Sequence, residues 1–186
     1  MPDQVSGILS PFLRRRRMAN AQRYVRGKTL DYGCGVGMFS KFVPASQYVG
    51  IDSDPHSISV ARSDNPDHIF LLSEDDAQLK QYGPYDTILA LAVIEHIPDR
   101  SGLLYHFKGL LSSSGTIVLT TPHPVSQTAH LMGSRIRLFS KEAEDEHGEL
   151  IDRNQMELLL TKAELKIEIY KKFLFGMNQL FVIRSM

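Results

Sequence analysis

A glycine run at the end of a short apolar stretch is the sequence feature that most constrains the fold. The run LDYGCGVG occupies residues 30–37, at the end of a predicted strand. Glycines in such a turn allow positive φ angles and let a ligand lie against bare backbone. From residue 27 to about residue 119, short β-branched or apolar runs alternate with helical stretches. This alternation is typical of βαβ units and predicts an α/β fold with a parallel sheet.

The expected elements follow from local patterns. Strands are predicted over residues 28–32, 48–52, 68–72, 85–93 and 116–121. Helices are predicted over residues 10–25, 54–63, 101–111 and 152–163, and another is expected to begin after Gly37. Two further apolar runs, 165–174 and 179–184, predict a long antiparallel hairpin at the C-terminus.

The chain is predicted to form one domain. Its 186 residues are 42% hydrophobic, which is enough for a single core. Within residues 1–186 we expect an N-terminal helical flap over 1–26. Residues 125–150 mix glycine, serine, charges and short apolar segments, and a loop of this length is often functional. We therefore interpret that segment as a lid.

Charge and cysteine content disfavour several function classes. Lysine plus arginine and aspartate plus glutamate both number 21, so no overall basic field favours nucleic acid or an acidic membrane. The single cysteine, Cys34, excludes an intrachain disulfide and multi-cysteine zinc sites, and it suits a reduced, cytoplasmic setting. No apolar run reaches the ~18 residues of a membrane span, and the N-terminus lacks the pattern of a signal peptide. We see no metal-ligand spacing and expect no metal.

The spacing around the glycine run indicates the ligand class. Asp52 ends the next strand, where a carboxylate can accept hydrogen bonds from both hydroxyls of a ribose. A dinucleotide fingerprint would need a glycine at the position of Met38. Asp31, two residues before Gly33, favours a cation and repels a pyrophosphate. S-adenosylmethionine, with its sulfonium and ammonium groups, therefore suits the loop better than NAD, and a dehydrogenase is disfavoured.

With these motifs the sequence resembles the class I S-adenosylmethionine-dependent methyltransferases, particularly the small-molecule type with an EH pair after the fourth strand. Five motifs in order carry the resemblance: LDYGCGVG at 30–37, VGIDSD at 49–54, SEDDAQL at 73–79, YDTILALAVIEHIPD at 85–99 and LLSSSGTIVLTTPHP at 110–124. The resemblance is strong over about residues 27–122. It implies a doubly wound, mostly parallel seven-stranded sheet of Rossmann-like type, with helices on both faces and an antiparallel last strand.

The resemblance also implies roles for individual residues. Gly33, Cys34 and Gly35 would pack on the methionine part of the cofactor, and Asp52 would hold the ribose. Asp31 and Ser53 complete this candidate cofactor site. Two alternatives stay open: Asp31 organises the loop through backbone hydrogen bonds, and Cys34 is a small packing residue rather than a reactive thiol.

The adenine end of the cofactor site follows from the third motif of the resemblance. The acid matching Asp76 would accept a hydrogen bond from the adenine amino group, and the backbone at Ala77 would bind a ring nitrogen. Asp75 is the alternative contact for the amino group.

Methyl transfer is an in-line displacement at a carbon that the sulfonium has already activated, so the protein mainly positions the acceptor and excludes water. An oxygen or ammonium acceptor that must lose a proton needs a base, and histidine suits that task. His96, after the fourth strand, and His123, between two prolines after the fifth, are the candidate bases. A structural reading of each, as a loop anchor or a pocket wall, is also open.

Four further residues are candidates for substrate contact. Glu95 precedes His96 and would line the pocket or anchor the loop. Arg135 and Arg137 would clamp an anionic group, unless they pair with the acidic stretch after residue 141. His147, in the predicted lid, lies among those acidic residues; it is a third candidate base, with a solvated position as the alternative.

The sequence thus predicts an S-adenosylmethionine-dependent methyltransferase with a small-molecule acceptor, methylated at oxygen. Pyrimidine C5 methylation is disfavoured because it needs a cysteine near the fourth motif. Two alternatives remain. One is an RNA (tRNA) methyltransferase that uses the arginines at 14–17 as a phosphate-binding stripe. The other is a protein that binds S-adenosylmethionine without turnover.

Overall fold

A mixed β-sheet forms the centre of the protein in a computed structural model that describes residues 9–73, 76–126 and 150–186. The seven strands of this described part are β1 (Thr29–Tyr32), β2 (Tyr48–Asp52), β3 (Ile69–Leu72), β4 (Tyr85–Leu91), β5 (Leu111–Pro122), β6 (Leu165–Phe173) and β7 (Asn178–Ser185). They lie in the order β3-β2-β1-β4-β5-β7-β6. Strands β1 to β5 pair in parallel, whereas β7 is antiparallel to β5 and β6. The predicted fold class, including the antiparallel last strand and the C-terminal hairpin, is confirmed.

Within the described ranges, α-helices connect the strands. They are α1 (Leu9–Ala21), α2 (Pro55–Asp64), α3 (Asp76–Tyr82), α4 (Arg100–Leu110) and α5 (Arg153–Lys162). Side-chain caps explain where three of them begin. Asp54 accepts hydrogen bonds from the backbone N–H groups of His56 and Ser57, and Asp99 accepts one from Gly102. Asp152 and Gln155 form a reciprocal capping box at α5.

Three local predictions were wrong in detail. The segment after Gly37 is a 3-10 helix, Met38–Phe42, because Val43 must be extended before Pro44. Strand β4 ends at Leu91 and not at residue 93, since Ala92 has a φ of 61° and donates its N–H to the Thr120 carbonyl at 2.8 Å. Helix α3 had no predicted counterpart. In the first two cases a turn conformation or a tertiary contact outweighs the local apolar pattern.

Alternating residues of the strands fill two cores, one on each face of the sheet. Ile88 belongs to one apolar cluster and its neighbour Leu89 to the other, as the two-residue period of a strand requires. Helices α4 and α5 pack on the first face, for example through Phe107 and Met156. Helices α1 and α2 contribute to the second cluster, and α1 does so through Met18. Helices therefore cover both faces, as in doubly wound sheets.

The strand order reverses between β1 and β4. The chain runs from β1 outward to β2 and β3, and then returns to the other side of β1 to form β4 and β5. The connections after β1 and β4 therefore diverge and leave a crevice at the carboxyl edge of the sheet, where open α/β sheets bind ligands. Separately, a search of the described residues found no helix long and apolar enough to cross a membrane.

Candidate functional site

The glycine loop between β1 and the 3-10 helix Met38–Phe42 has the backbone that its sequence predicts. Gly33, Gly35 and Gly37 all have positive φ angles, of 77°, 53° and 73°. A side chain at Gly37 would place its Cβ 2.7 Å from the ring of Phe70, in the core. At Gly35, by contrast, no described atom lies within 4 Å of the Cβ position. The loop is thus packed against the protein core at Gly37 and open at Gly35.

Asp52 holds this loop from the end of β2. One carboxylate oxygen accepts a hydrogen bond from the Gly35 N–H at 2.7 Å, and the other accepts one from the Asp54 N–H at 3.0 Å. Each oxygen of an ionised carboxylate can accept a second bond. The side chain is half-buried, so both oxygens stay within reach of a ligand that lies on the loop. The neighbouring Ser53 is exposed.

Asp31 is a buried acid in the wall of the same crevice. Its side chain is only 3% exposed, and one oxygen accepts a hydrogen bond from the Tyr48 hydroxyl at 2.7 Å. Burial raises the pKa of Asp31 to about 6; the Tyr48 bond opposes this shift and the charge of Asp52 adds to it. The described partner of Asp31 is therefore a phenol and not the loop backbone. A cation placed here would favour the ionised carboxylate.

A cavity of about 420 Å³ opens over the glycine loop. It is lined from three directions, by the loop and strand β1, by helix α1, and by the segment after β4. The lining residues include Asp31, Gly33, Cys34, Gly35, Val36, Met38, Phe39 and Ser57, then Arg14, Arg17 and Met18, then Leu91, Ala92 and His96. The crevice between β1 and β4 is therefore a single chamber roofed by α1.

Cys34 contributes to the wall as a packed thiol. It is 9% exposed, and burial, with the nearby charges of Asp31 and Asp52, raises its pKa. A Cβ at Gly50 would come within 3.0 Å of its sulfur. These contacts favour the packing role over that of a reactive thiolate.

A second group of polar residues lies beneath α1, on the β4 and β7 side of the cavity. The Arg17 Nε donates to Asn178 Oδ1 at 2.9 Å, and Asn178 is 4% exposed at the start of β7. Glu95 is 3% exposed, and its Oε2 has no hydrogen-bond partner among the described residues. We call these three residues the Arg17 cluster.

Charges within the Arg17 cluster act on one another. Burial lowers the pKa of the Arg17 guanidinium, and the Glu95 carboxylate raises it. Burial also raises the pKa of Glu95, against the lowering effects of a backbone hydrogen bond and of Arg17. The Thr121 hydroxyl lies close enough to lower the Glu95 pKa but does not reach hydrogen-bond geometry. Glu95 is absent from the described linings of both cavities, so it lies behind the wall and not on it.

The two candidate bases face different cavities. His96 is exposed and lines the chamber over the glycine loop. His123 is 9% exposed and lines a separate, more open pocket of about 200 Å³ with Asp152, Arg153, Asn154, Tyr170 and Lys172. Its Nδ1 accepts a hydrogen bond from the Val125 N–H at 3.2 Å. Burial, together with Lys172, lowers the pKa of His123.

Several predicted site residues lie outside the described part of the chain. Asp76 and Ala77 begin helix α3, but their side chains and Asp75 are not described. Arg135, Arg137, His147 and most of the predicted lid fall within residues 127–149, which are not described either.

Sequence reasoning missed four contributors to the chamber and its surroundings. Arg14 and Arg17 are one helical turn apart and both line the cavity, whereas Arg15 and Arg16 are absent from its lining. Their spacing of three residues could have indicated this, because residues at i and i+3 share a helix face. No local signal marks Ala92 or Asn178.

Comparisons with known proteins agree with this geometry. A family model described as a methyltransferase domain matches residues 7–168. Trans-aconitate 2-methyltransferase of Escherichia coli O1:K1 (APEC) is 32% identical over 109 residues, which are 55% of this chain and 42% of that protein. The homologue from Enterobacter sp. (strain 638) is 30% identical over 110 residues, with the same coverage. The chain therefore spans about two fifths of the length of these curated relatives.

Solved structures share the whole fold. Magnesium protoporphyrin IX methyltransferase from Synechocystis PCC 6803, solved with bound SAH, superposes with a TM-score of 0.72 at 16% identity, covering 100% of this chain and 90% of that one. An S-adenosylmethionine-dependent methyltransferase from Mesorhizobium loti has a TM-score of 0.69 at 16% identity, covering 93% and 100%. With the family model matching most of its length, the chain belongs to the class I S-adenosylmethionine-dependent methyltransferases.

Proposed function

We propose that this chain transfers a methyl group from S-adenosylmethionine to an oxygen atom of a small molecule. The observation that carries the proposal is the single chamber over the glycine loop. Gly35 and Asp31 line it on the side of β1, whereas Arg17, which bonds Asn178 of β7, and His96, which follows β4, line it on the other side of the strand-order reversal. A donor bound on the loop and an acceptor bound below α1 would thus share one cavity, as an in-line displacement requires.

The residues of the loop end fit the cofactor. The open space above Gly35 leaves room for a ligand against bare backbone. Asp52 offers a carboxylate for ribose hydroxyls while it holds the loop through the Gly35 N–H. Asp31 provides a buried negative charge that suits an ammonium or a sulfonium group. When bound, S-adenosylmethionine supplies a methyl group on a sulfonium that is already a good leaving group.

Helix α1 supports the proposal that residues 1–26 act as a flap. Arg14, Arg17 and Met18 form the roof of the chamber, and Met18 is 8% exposed. A roof of this kind excludes water from the reacting atoms, which strengthens electrostatic interactions inside the site. Residues 125–150 remain a proposed lid, supported by their position directly after β5.

An oxygen acceptor agrees with the name of the trans-aconitate 2-methyltransferases, since aconitate is a carboxylate and its nucleophilic atoms are oxygens. A carboxylate oxygen attacks without losing a proton. A hydroxyl needs a base, and the position of His96 in the chamber lining supports that role. His123 lies in the other pocket and would serve there as a wall residue.

A small acceptor is favoured over RNA by the arrangement of the arginine run. Arg17 is half-buried and lines the chamber, whereas Arg14, Arg15 and Arg16 are exposed, so one of the four arginines is withdrawn from the outer surface. Nucleic-acid affinity depends on several phosphate contacts along such a surface. A lone cysteine, buried in the loop, also suits the reducing cytoplasm, where we place the reaction.

Calorimetric titration of the full chain with S-adenosylmethionine, S-adenosylhomocysteine and NAD tests the ligand class. We expect micromolar affinity for both sulfur nucleosides and none for NAD. Transfer of a labelled methyl group to a panel of small acids, alcohols and amines then tests the reaction, with heat-treated tRNA as a comparison acceptor. Labelling of the tRNA alone, or NAD binding alone, would refute the proposal.

A further inference from the structure

We propose that Arg17 binds a carboxylate group of the acceptor, and that Asn178 and Glu95 are positioning residues for its guanidinium. The substrate class would then be small carboxylic acids in their anionic form. This inference rests on the proposed function, because it names the acceptor of that reaction. It is carried by one juxtaposition, in which a half-buried arginine of α1 lines the chamber and is fixed through its Nε by a buried asparagine of β7.

Asn178 fixes the direction of the Arg17 side chain. The bond from Nε to Asn178 Oδ1 uses one of the five N–H donors of the guanidinium. Asn178 is itself held in the sheet, where it pairs with Pro122 of β5 and with Phe173 of β6. Among the described contacts, this is the only protein hydrogen bond that Arg17 donates. The donors on the two terminal nitrogens are left for a ligand in the chamber that Arg17 lines.

Glu95 balances the charge of Arg17 without occupying those donors. Its carboxylate is close enough for each charge to shift the pKa of the other, yet no hydrogen bond or ion pair joins the two among the described residues. A buried carboxylate oxygen without a partner is costly, and natural proteins keep few of them. Glu95 therefore acts as a resident counter-charge that keeps a cation stable in a desolvated wall.

The free donors of Arg17 define the chemistry of the ligand. A guanidinium presents parallel N–H groups that match the two oxygens of a carboxylate, and such paired bonds are among the strongest in proteins. Ala92 and His96, which follow β4, line the same chamber as Arg17 and the glycine loop. A small acid held by one carboxylate would thus extend toward the glycine loop, where the donor binds.

The cofactor also has a carboxylate, and a second arginine is better placed for it. Arg14 Nη1 donates to the Met38 sulfur at 3.4 Å, so this side chain reaches the glycine-loop end of the chamber. Arg17 reaches the opposite end, at β4 and β7. The two arginines on one face of α1 therefore divide the chamber between the two ligands.

The first experiment compares Arg17→Met, Arg17→Lys and the matched control Arg16→Met, whose arginine is the exposed neighbour on the same helix. Each full-length protein is titrated with S-adenosylhomocysteine. The resulting complex is then titrated with di- and tricarboxylates, trans-aconitate among them, and with the corresponding amides. For Arg17→Met we expect carboxylate affinity to fall about 30- to 100-fold, with nucleoside affinity within about threefold. Arg17→Lys should lose about tenfold, and Arg16→Met should match the wild type.

Each other outcome overturns the inference. If Arg17→Met weakens the nucleoside and leaves the acids unchanged, Arg17 serves the cofactor. If the amides bind as well as the acids, or no acid binds, carboxylate recognition is wrong. The titrations measure binding without turnover, so they are independent of the methyl-transfer assay. Acid binding that depends on Arg17, without methyl transfer, would refute the proposed function and leave carboxylate binding by Arg17 intact.

Glu95→Gln tests the counter-charge role, because we expect it to lower the stability of the protein and to raise its affinity for carboxylates. Removing the carboxylate leaves the Arg17 charge unbalanced, so the thermal midpoint of the free protein should fall. Carboxylate affinity should rise about threefold or more, because the negative charge of Glu95 no longer opposes an anionic ligand beside Arg17. Glu95→Asp should restore both values toward the wild type. A loss of stability with unchanged or weaker acid binding would show that Glu95 is only a structural residue.

Discussion

The two ends of the chamber are built in different ways. At the loop end the polar groups satisfy one another: Asp52 accepts two backbone N–H groups, and Asp31 accepts the Tyr48 hydroxyl. Below α1, buried oxygens of Glu95 and Thr121 have no partner among the described residues. Unsatisfied buried groups destabilise a fold and are retained where a ligand uses them. Under the proposed function, the cofactor end is thus internally satisfied before binding, whereas the acceptor end is not.

The two ends of the chamber also differ in how far apart their contacting residues lie in the sequence. Gly35 and Asp52 are 17 residues apart and belong to one βαβ unit. Arg17 and Asn178 are 161 residues apart and meet only when α1 lies across the finished sheet. The loop end can therefore form with its own unit, whereas the acceptor end depends on the whole fold. Variants at the two ends should show whether each end depends on its own structural unit or on the whole fold.

Gly37→Ala should give the largest effect, and it should act on stability. The added Cβ would lie 2.7 Å from the Phe70 ring and 3.2 Å from the Ala61 Cβ, at a φ of 73°. Overpacking and left-handed strain together should cost about 2–4 kcal/mol of the free energy of unfolding, measured by urea titration.

Gly35→Ala is the matched control at the same loop, because its Cβ meets no described atom within 4 Å. It should cost only about 1 kcal/mol of stability from its positive φ. Cofactor affinity should instead suffer, since the methyl group enters the ligand space. Equal losses of stability in the two variants would contradict the assignment of Gly35 to the open side of the loop.

Asp52→Ala should come next, with cofactor affinity reduced at least about tenfold in calorimetry. The variant removes a charged hydrogen-bond acceptor for the ribose and also frees the Gly35 N–H. Asp64→Ala, an exposed acid at the end of α2, is the control and should leave affinity unchanged. An unaltered dissociation constant for Asp52→Ala would refute the ribose role.

The contrast explains how much the sequence could predict. The glycine run, Asp52 and the capping residue Asp54 act through neighbours within one structural unit, so their pattern is visible in the chain. The local apolar runs predicted the antiparallel hairpin, and the family resemblance implied the sheet order. These features could be placed before the structure was known.

The acceptor end could not be predicted in the same way. Asn178 looks like a hairpin-turn residue in the sequence, and only the pairing of β7 with β5 brings it to Arg17. Glu95 and His96 are adjacent in the chain, yet one is buried behind the wall and the other is exposed on it. A short 3-10 helix at Ile94–His96 turns the two side chains to different sides, and no sequence pattern predicts that helix.

A pH titration of cofactor binding should give a smaller effect centred on Asp31. Burial raises the pKa of this carboxyl to about 6, so the free protein carries its proton below that pH. A cationic ligand favours the ionised form, and the dissociation constant should therefore fall about tenfold between pH 5 and pH 7. The stability of the free protein should change in the opposite sense: because the folded pKa lies above the unfolded one, stability decreases as pH rises from about 4 through 6.

Two variants sharpen the assignment of that titration to Asp31. Asp31→Asn should abolish the pH dependence between 5 and 7. Tyr48→Phe should move its midpoint upward, since the phenol bond lowers the pKa of Asp31. A midpoint that stays in place in both variants would assign the titration to another group.

The histidine variants should give the smallest effect and decide the nature of the acceptor. A carboxylate oxygen attacks without losing a proton, so His96→Ala should leave kcat within about threefold of the wild type with an acid acceptor. His123→Ala should do the same, because His123 lines the other pocket and its Nδ1 is engaged by the Val125 N–H. A base acting on a hydroxyl would contribute about 10²–10⁴-fold. A loss of that size in His96→Ala, with a pH–rate profile that loses its lower limb, would show that the acceptor is an alcohol or phenol and that the acceptor end works by proton removal.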